Sequence, residues 1–196
     1  MRLSSSASDW LQILRTRTAA SHRAIERQPL LKPLGAGDCS HDDYVNALRA
    51  LAAPQMAMET STAEYSAKNN DPLAEYQPLQ RMPWLSNDLM ALSAKPFELT
   101  TIWPECSTPA AYIGILYVRE GSRFGAQVIA RRLTQLLPNA ASSFFSLTSA
   151  PQWPAFIENA SHYAPDVEAV AEVATNVFEA LRIHLDRVFV QKLAFP

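Results

Sequence analysis

The segment between Thr108 and Pro138 reads as one helix, and it carries three of the chain's five glycines, Gly114, Gly121 and Gly125. Thr108 followed by Pro109 is a strong start signal: a hydroxyl able to accept from first-turn amides, then a ring whose missing N–H is no loss at the first helical position. Pro138 marks the stop. Inside a helix each glycine gives up about 0.5–1 kcal/mol relative to alanine, so repeated glycines imply that something needs close access to the backbone. The spacing of four puts Gly121 and Gly125 on one face, with Ser122 and Ala126 beside them. A strip without bulky side chains can take a flat ligand or a second helix at short distance, and both readings stand at this point.

The rest of the pattern is helical as well. Trp10, Leu11, Leu14, Thr18, His22 and Ile25 fall at helical spacing and end before Pro29, which places His22 on the inner face and leaves residues 1–9 as an expected flexible N-terminal tail. Ser40 with Asp43 three residues on starts a second helix through Tyr44, Leu48 and Leu51, which Pro54 is expected to kink or split before Met56 and Tyr65. Residues 69–83 are polar and hold Pro72, Pro78 and Pro83, so they read as a loop before a short helix over 84–92, and a second loop runs through Pro96 and Pro104. After a low-complexity turn at 140–149, helices are expected at 151–162 and 165–193, the latter with Val167, Val170, Val173, Val177, Leu181, Leu185 and Val188 on one stripe. With no alternating strand pattern, internal repeat or long linker, residues 1–196 read as a single all-α bundle.

Composition narrows the function. Seventeen basic and 19 acidic residues give a net charge of −2 without blocks of like charge, which disfavours nucleic-acid and membrane-surface partners. No run of eighteen apolar residues occurs and the first residues lack the apolar core of a secretory signal, so a soluble, cytoplasmic protein is expected. Cys39 and Cys106 have no metal-type spacing. A di-iron centre would need Glu-x-x-His pairs, and none occurs. His41 reads as solvated, His162 as a cation near a helix end, and His184 as lying off the apolar stripe. His22 can be a hydrogen-bonded core residue or a metal ligand; with the glycine strip it describes an imidazole on one side of a planar group and bare backbone on the other.

Two segments then carry a family resemblance. Residues 14–26, with Leu14, Arg15, Thr18 and His22, resemble the first helix of heme oxygenases. Residues 117–129, from Tyr117 through Gly121, Ser122 and Gly125 to Ile129, resemble the distal helix of the bacterial biliverdin-forming enzymes associated with bacteriophytochromes. Weaker echoes are Ser40 to Tyr44, Trp84 to Leu89, Trp153 to Phe156 and Val173 to Phe178.

The resemblance implies a heme oxygenase-like bundle and a heme-degrading monooxygenase, with heme as cofactor and substrate and with biliverdin, carbon monoxide and ferrous iron as products. It makes His22 the iron ligand, Glu26 its orienting partner, Arg15 a propionate partner and Phe178 a pocket wall. Gly121 and Gly125 would let the distal backbone approach the iron, and Ser122 and Tyr117 would organise water there. The family's usual second glycine is replaced by Ala126, and Arg119 and Arg123 are additions that would either meet a propionate or point to solvent. Without a glycine-rich nucleotide fingerprint, electrons are expected from an external reductase or ferredoxin, and a bacteriophytochrome is the implied bilin acceptor. A heme-binding or heme-sensing protein without turnover is the alternative.

Overall fold

Thr108 and Pro109 do what their order requires: the Thr108 hydroxyl accepts from the Ala111 amide at 3.1 Å and the helix runs from Pro109 to Leu136. The computed structural model describes residues 3–69, 76–146, 152–163 and 166–194, and this helix is the fifth of eight among them. They are α1 (Ser5–Glu26), α2 (Lys32–Ala36), α3 (His41–Lys68), α4 (Met82–Ala91), α5 (Pro109–Leu136), α6 (Ser143–Ser146), α7 (Gln152–Tyr163) and α8 (Val167–Ala194). No strand occurs among the described residues.

Packing is organised around α8, against which α1 and α5 both lie, while α3 and α6 lie against α5 and α4 packs on α3 and α6. One apolar cluster joins Leu14, Ile113, Leu116, Phe156, Val170 and Val177. A second joins Leu48, Leu85, Ala126, Leu133, Phe144 and Phe145. Gly114 belongs to the first region for a steric reason: a Cβ there would sit 2.9 Å from both the Val170 carbonyl oxygen and Val173 Cβ. This glycine is the contact point of α5 and α8.

Several boundaries differ from the sequence reading. The expected tail is helical from Ser5, because Ser4 caps the helix by accepting from the Ala7 amide at 3.2 Å and its own amide donates to Glu158 on α7. Ala7 is buried in the core, so this turn is held by packing as well as by its cap. The short helix α6 falls in the stretch read as a turn, α2 falls between Pro29 and Ser40, where no element was expected, and α4 starts at Met82, with Pro83 inside its first turn, where a proline costs nothing. Asp88 holds α6 in place by accepting from the Ser143 and Phe144 amides at 3.0 and 2.8 Å. Residues 70–75, 147–151 and 164–165, parts of the expected loops and helix starts, lie outside the described residues.

Pro54 does not split α3, which runs through it from His41 to Lys68. A proline in mid-helix withholds the amide that would pair with the carbonyl four residues earlier, here Ala50. His184 of α8 supplies the missing donor, with Nε2 3.0 Å from the Ala50 oxygen. Since a carbonyl only accepts, Nε2 carries the proton and Nδ1 accepts from the Thr101 hydroxyl at 2.9 Å. His184 is therefore fully buried rather than off the stripe, and burial lowers its pKa below 6.5.

Candidate functional site

Beyond Thr18 the apolar stripe of α1 leaves the core, and His22 faces a cavity of about 1040 Å³ that opens between α1 and α5. That volume suits a large flat ligand, since small-molecule pockets run to about 1,000 Å³. The same cavity is lined on the α5 side by Tyr117, Gly121, Ser122, Gly125 and Ala126, and on the α8 side by Phe178. Sequence positions a hundred residues apart thus meet across one slot.

The His22 side chain is 53% exposed, which leaves its ring open to the slot. Phe178 meets it edge-on, with ring centroids 5.7 Å apart and planes at 83°. Glu26 Oε1 lies 3.5 Å from His22 Nδ1, one turn on, which leaves Nε2 for the cavity. On the facing wall, a Cβ at Gly125 would meet nothing within 4 Å and one at Gly121 would touch only Trp153, at 3.8 Å. The ledge is open to the slot, in contrast to Gly114. Ala126 is buried, and its methyl belongs to the second core cluster, beside Leu133 and Phe144. Tyr117 bridges the walls: its hydroxyl is 3.3 Å from that of Thr18, and because Thr18 donates to the Leu14 carbonyl, Tyr117 is the donor of the pair. Arg15 lines the slot from α1, as do Arg23, Lys32 and Arg132 from α1, α2 and α5.

Arg119 and Arg123 do neither of the things expected of them. Both are buried on the side of α5 turned away from the slot. Arg119 donates to the Leu79 carbonyl and the Thr62 hydroxyl and lies 3.8 Å from Glu59 Oε1, and Arg123 pairs with Glu120. Guanidinium groups survive burial when carboxylates and carbonyls meet them, and here they do.

Sequence reasoning missed Arg81 and Gln55, and named Trp153 only within a weaker echo without a place in the slot. Gln55, Glu59 and Thr62 continue the buried stripe of α3 at helical spacing, and polar residues at such positions are the available sign of a buried network. Gln55 donates to Glu59 at 2.6 Å, and Glu59 accepts the Arg81 and Met82 amides. Arg81 stands in a polar stretch without periodicity, so nothing local marks it. Cys39 and Cys106 carry no chemistry: burial raises their thiols to about 11 and about 12, far from thiolates at neutral pH. No group of three potential metal ligands occurs among the described residues, whereas one imidazole suffices for a porphyrin iron. The residues present fit a heme.

One imidazole opposite a bare helix ledge across an apolar slot defines a heme-binding helical bundle. The chain matches the Heme oxygenase family model over residues 8–183, and it belongs to the heme oxygenase family. It is 30% identical over 126 residues to the heme oxygenase of Xanthomonas campestris pv. campestris (strain 8004), over 64% of this chain and 74% of that one. The fold is similar to that of the NO- and CO-bound heme oxygenase from Neisseria meningitidis, with TM-score 0.73, 20% identity and 92% of both chains covered. It is also similar to heme oxygenase-1 from the cyanobacterium Synechocystis sp. PCC6803 in complex with heme, with TM-score 0.69, 17% identity and 97% and 95% covered. The family sets the reaction: heme is cofactor and substrate, and its ring is opened to biliverdin with release of carbon monoxide and ferrous iron, using dioxygen and external electrons. No helix among the described residues is long and apolar enough to cross a membrane.

Proposed function

We propose that the slot holds heme with His22 as the iron ligand and the Gly121 to Gly125 ledge on the opposite face. The observation that carries this reading is their opposition across one cavity, with an exposed imidazole on one wall and no Cβ obstruction on the other. Bound there, heme supplies the iron that activates dioxygen and the ring that is attacked.

The chain's residues divide the remaining work. Glu26 holds Nδ1 and so fixes which nitrogen of His22 is free, while the edge of Phe178 restricts rotation of the ring. Gly121 and Gly125 would let the backbone of α5 approach the bound group, where side chains would stand in the way. Tyr117 ties α5 to α1 through Thr18 and sets the width of the slot. Ser122 presents its oxygen from the ledge, where water can be ordered. Propionates fall to Arg15, helped by Arg23, Lys32 and Arg132, the cations on the cavity lining outside the buried network. An external reductase or ferredoxin delivers the electrons. A bacteriophytochrome takes the bilin, as the likeness of residues 117–129 implies. The reaction belongs in the cytoplasm, in keeping with two free cysteines.

Titration of the purified protein with hemin, beside His22→Ala, tests the arrangement. The wild type is expected to develop a Soret band that shifts and weakens in the variant, then to bleach to a bilin when reductant and oxygen are added. A variant spectrum identical to wild type would overturn His22 as ligand. A band that persists through reduction and aeration would leave a heme carrier in place of turnover.

A further inference from the structure

Phe144 and Phe145 line the slot from α6, a helix of only four residues. A single helical turn has little stability of its own, since nucleation fixes several dihedrals for one hydrogen bond. Yet both rings are buried, and side chains from α3, from α4 and from the residue that caps α4 hold the segment from outside. The Asp88 oxygens accept the Ser143 and Phe144 amides at 3.0 and 2.8 Å. The Tyr44 hydroxyl donates to the Ala141 carbonyl at 2.6 Å. Arg81 donates to the Phe144 carbonyl at 3.0 Å and lays its guanidinium over the Phe144 ring, 4.1 Å from the centroid. Phe145 meets Phe144 edge-on, with centroids 5.0 Å apart.

Asp88 is the costly member of this set. It is 1% exposed, and the buried Arg119 and Arg123 pair with Glu59 and Glu120 instead of with it. Burying a carboxylate is unfavourable unless its oxygens are met, and here two successive amides of α6 meet them. What this carboxylate holds is α6, and what α6 presents to the slot is a pair of rings.

A fixed wall has a use in this cavity. At about 1040 Å³ the slot reaches the upper end of the small-molecule range, so a flat macrocycle has room to turn in its own plane. The cations on the lining stand on three helices, Arg15 and Arg23 on α1, Lys32 on α2 and Arg132 on α5. Charge alone therefore offers two carboxylates more than one seat, and a rigid aromatic wall can select among them.

We infer that Asp88 is a positioning residue of the ring-opening reaction: it fixes α6, and through Phe144 and Phe145 it sets the in-plane seat of the tetrapyrrole and so the position at which the ring is opened. The inference rests on the heme reading of the slot. Asp88 itself does not line the cavity and acts only through the segment it holds.

The test compares the ferric hemin complexes of wild type, Asp88→Ala and Gly114→Ala by proton NMR. The shifted heme-methyl resonances report the angle between the macrocycle and its axial imidazole, so each seat gives its own set. Asp88→Ala is expected to change the ratio of these sets by about threefold or more, a part of the roughly tenfold that one hydrogen bond to a charged group is worth. The isomer composition of the bilin formed on adding reductant and oxygen is expected to change in the same sense. Gly114→Ala strains the contact of α5 with α8 away from the slot lining, and is expected to keep the wild-type ratio; this separates a seated wall from a general loosening of the fold. Should Asp88→Ala form no hemin complex, Tyr44→Phe takes its place, with a smaller change expected because it releases the Ala141 carbonyl alone. A wild-type set of resonances in the variant so used, or an equal change in Gly114→Ala, would overturn the inference. A wild-type protein that forms no Soret band at all would overturn the heme reading first, and is told apart by that.

Discussion

The two halves of α5 share one helix and have opposite surroundings. Residues 110–120 are buried without exception, whereas Ser122, Phe124, Gly125 and Val128 in the following turns are exposed. Glycine serves a different need in each half. At Gly114 it lets α8 approach to contact, whereas at Gly125 nothing lies within 4 Å of a Cβ and at Gly121 only the Trp153 ring does, at 3.8 Å. The same residue type at the same cost in helix stability thus fits a helix in one place and a ligand in the other, and only the neighbouring helix distinguishes them.

That contrast can be tested by giving each half a methyl group. Gly114→Ala drives Cβ against a backbone carbonyl that cannot rotate away, and overpacking of this kind costs about 1–3 kcal/mol, so a lowered melting temperature of the heme-free protein is expected. An unchanged melting temperature would break the comparison at its tighter end. Gly125→Ala has open space before it and gains helix propensity, so the heme-free protein is expected to become more stable by about 0.5–1 kcal/mol. Hemin binding by the same variant is expected to weaken, and denaturation with parallel hemin titration would show stability and affinity moving in opposite directions. If both rose together, the ledge would not be where heme lies.

The two helical histidines repeat the contrast on a smaller scale. His22 is half-exposed onto the slot, while His184 is sealed between the Ala50 carbonyl left unpaired by Pro54 and the Thr101 hydroxyl. Burial holds His184 neutral by lowering its pKa below 6.5, with Arg187 adding to the effect. The native state therefore takes up its proton at lower pH than the unfolded chain does. Its contribution to stability is fully present above 6.5 and falls as pH drops from there toward the native pKa. Denaturant melts between pH 7.5 and 5 are expected to show this decline, and His184→Gln, which can still donate to the carbonyl, is expected to flatten it. A slope unchanged in that variant would remove His184 as its source.

Much of the candidate site was legible because it was written in local spacing. Helix starts at Ser40 and Thr108 follow from capping chemistry within three residues, and the placement of His22, Glu26, Gly121 and Gly125 on slot-facing sides follows from 3.6 residues per turn. What resisted reading depends on partners distant in the chain. Pro54 looks like a helix breaker until His184, 130 positions on, supplies the donor it lacks. Arg119 and Arg123 look like solvent-facing or propionate-binding groups until Glu59, Thr62 and Glu120 surround them.

The amino-acid order alone determined the all-helical class, the inner face of each long helix and the pair of motifs that face each other across the slot, because backbone periodicity and capping act over a few residues. The tertiary structure decided which glycine packs and which stays open, which arginines are buried in ion pairs, and that Arg81 reaches the slot wall. Those outcomes depend on burial and on hydrogen-bond partners far apart in the chain, which come together only when the helices have packed.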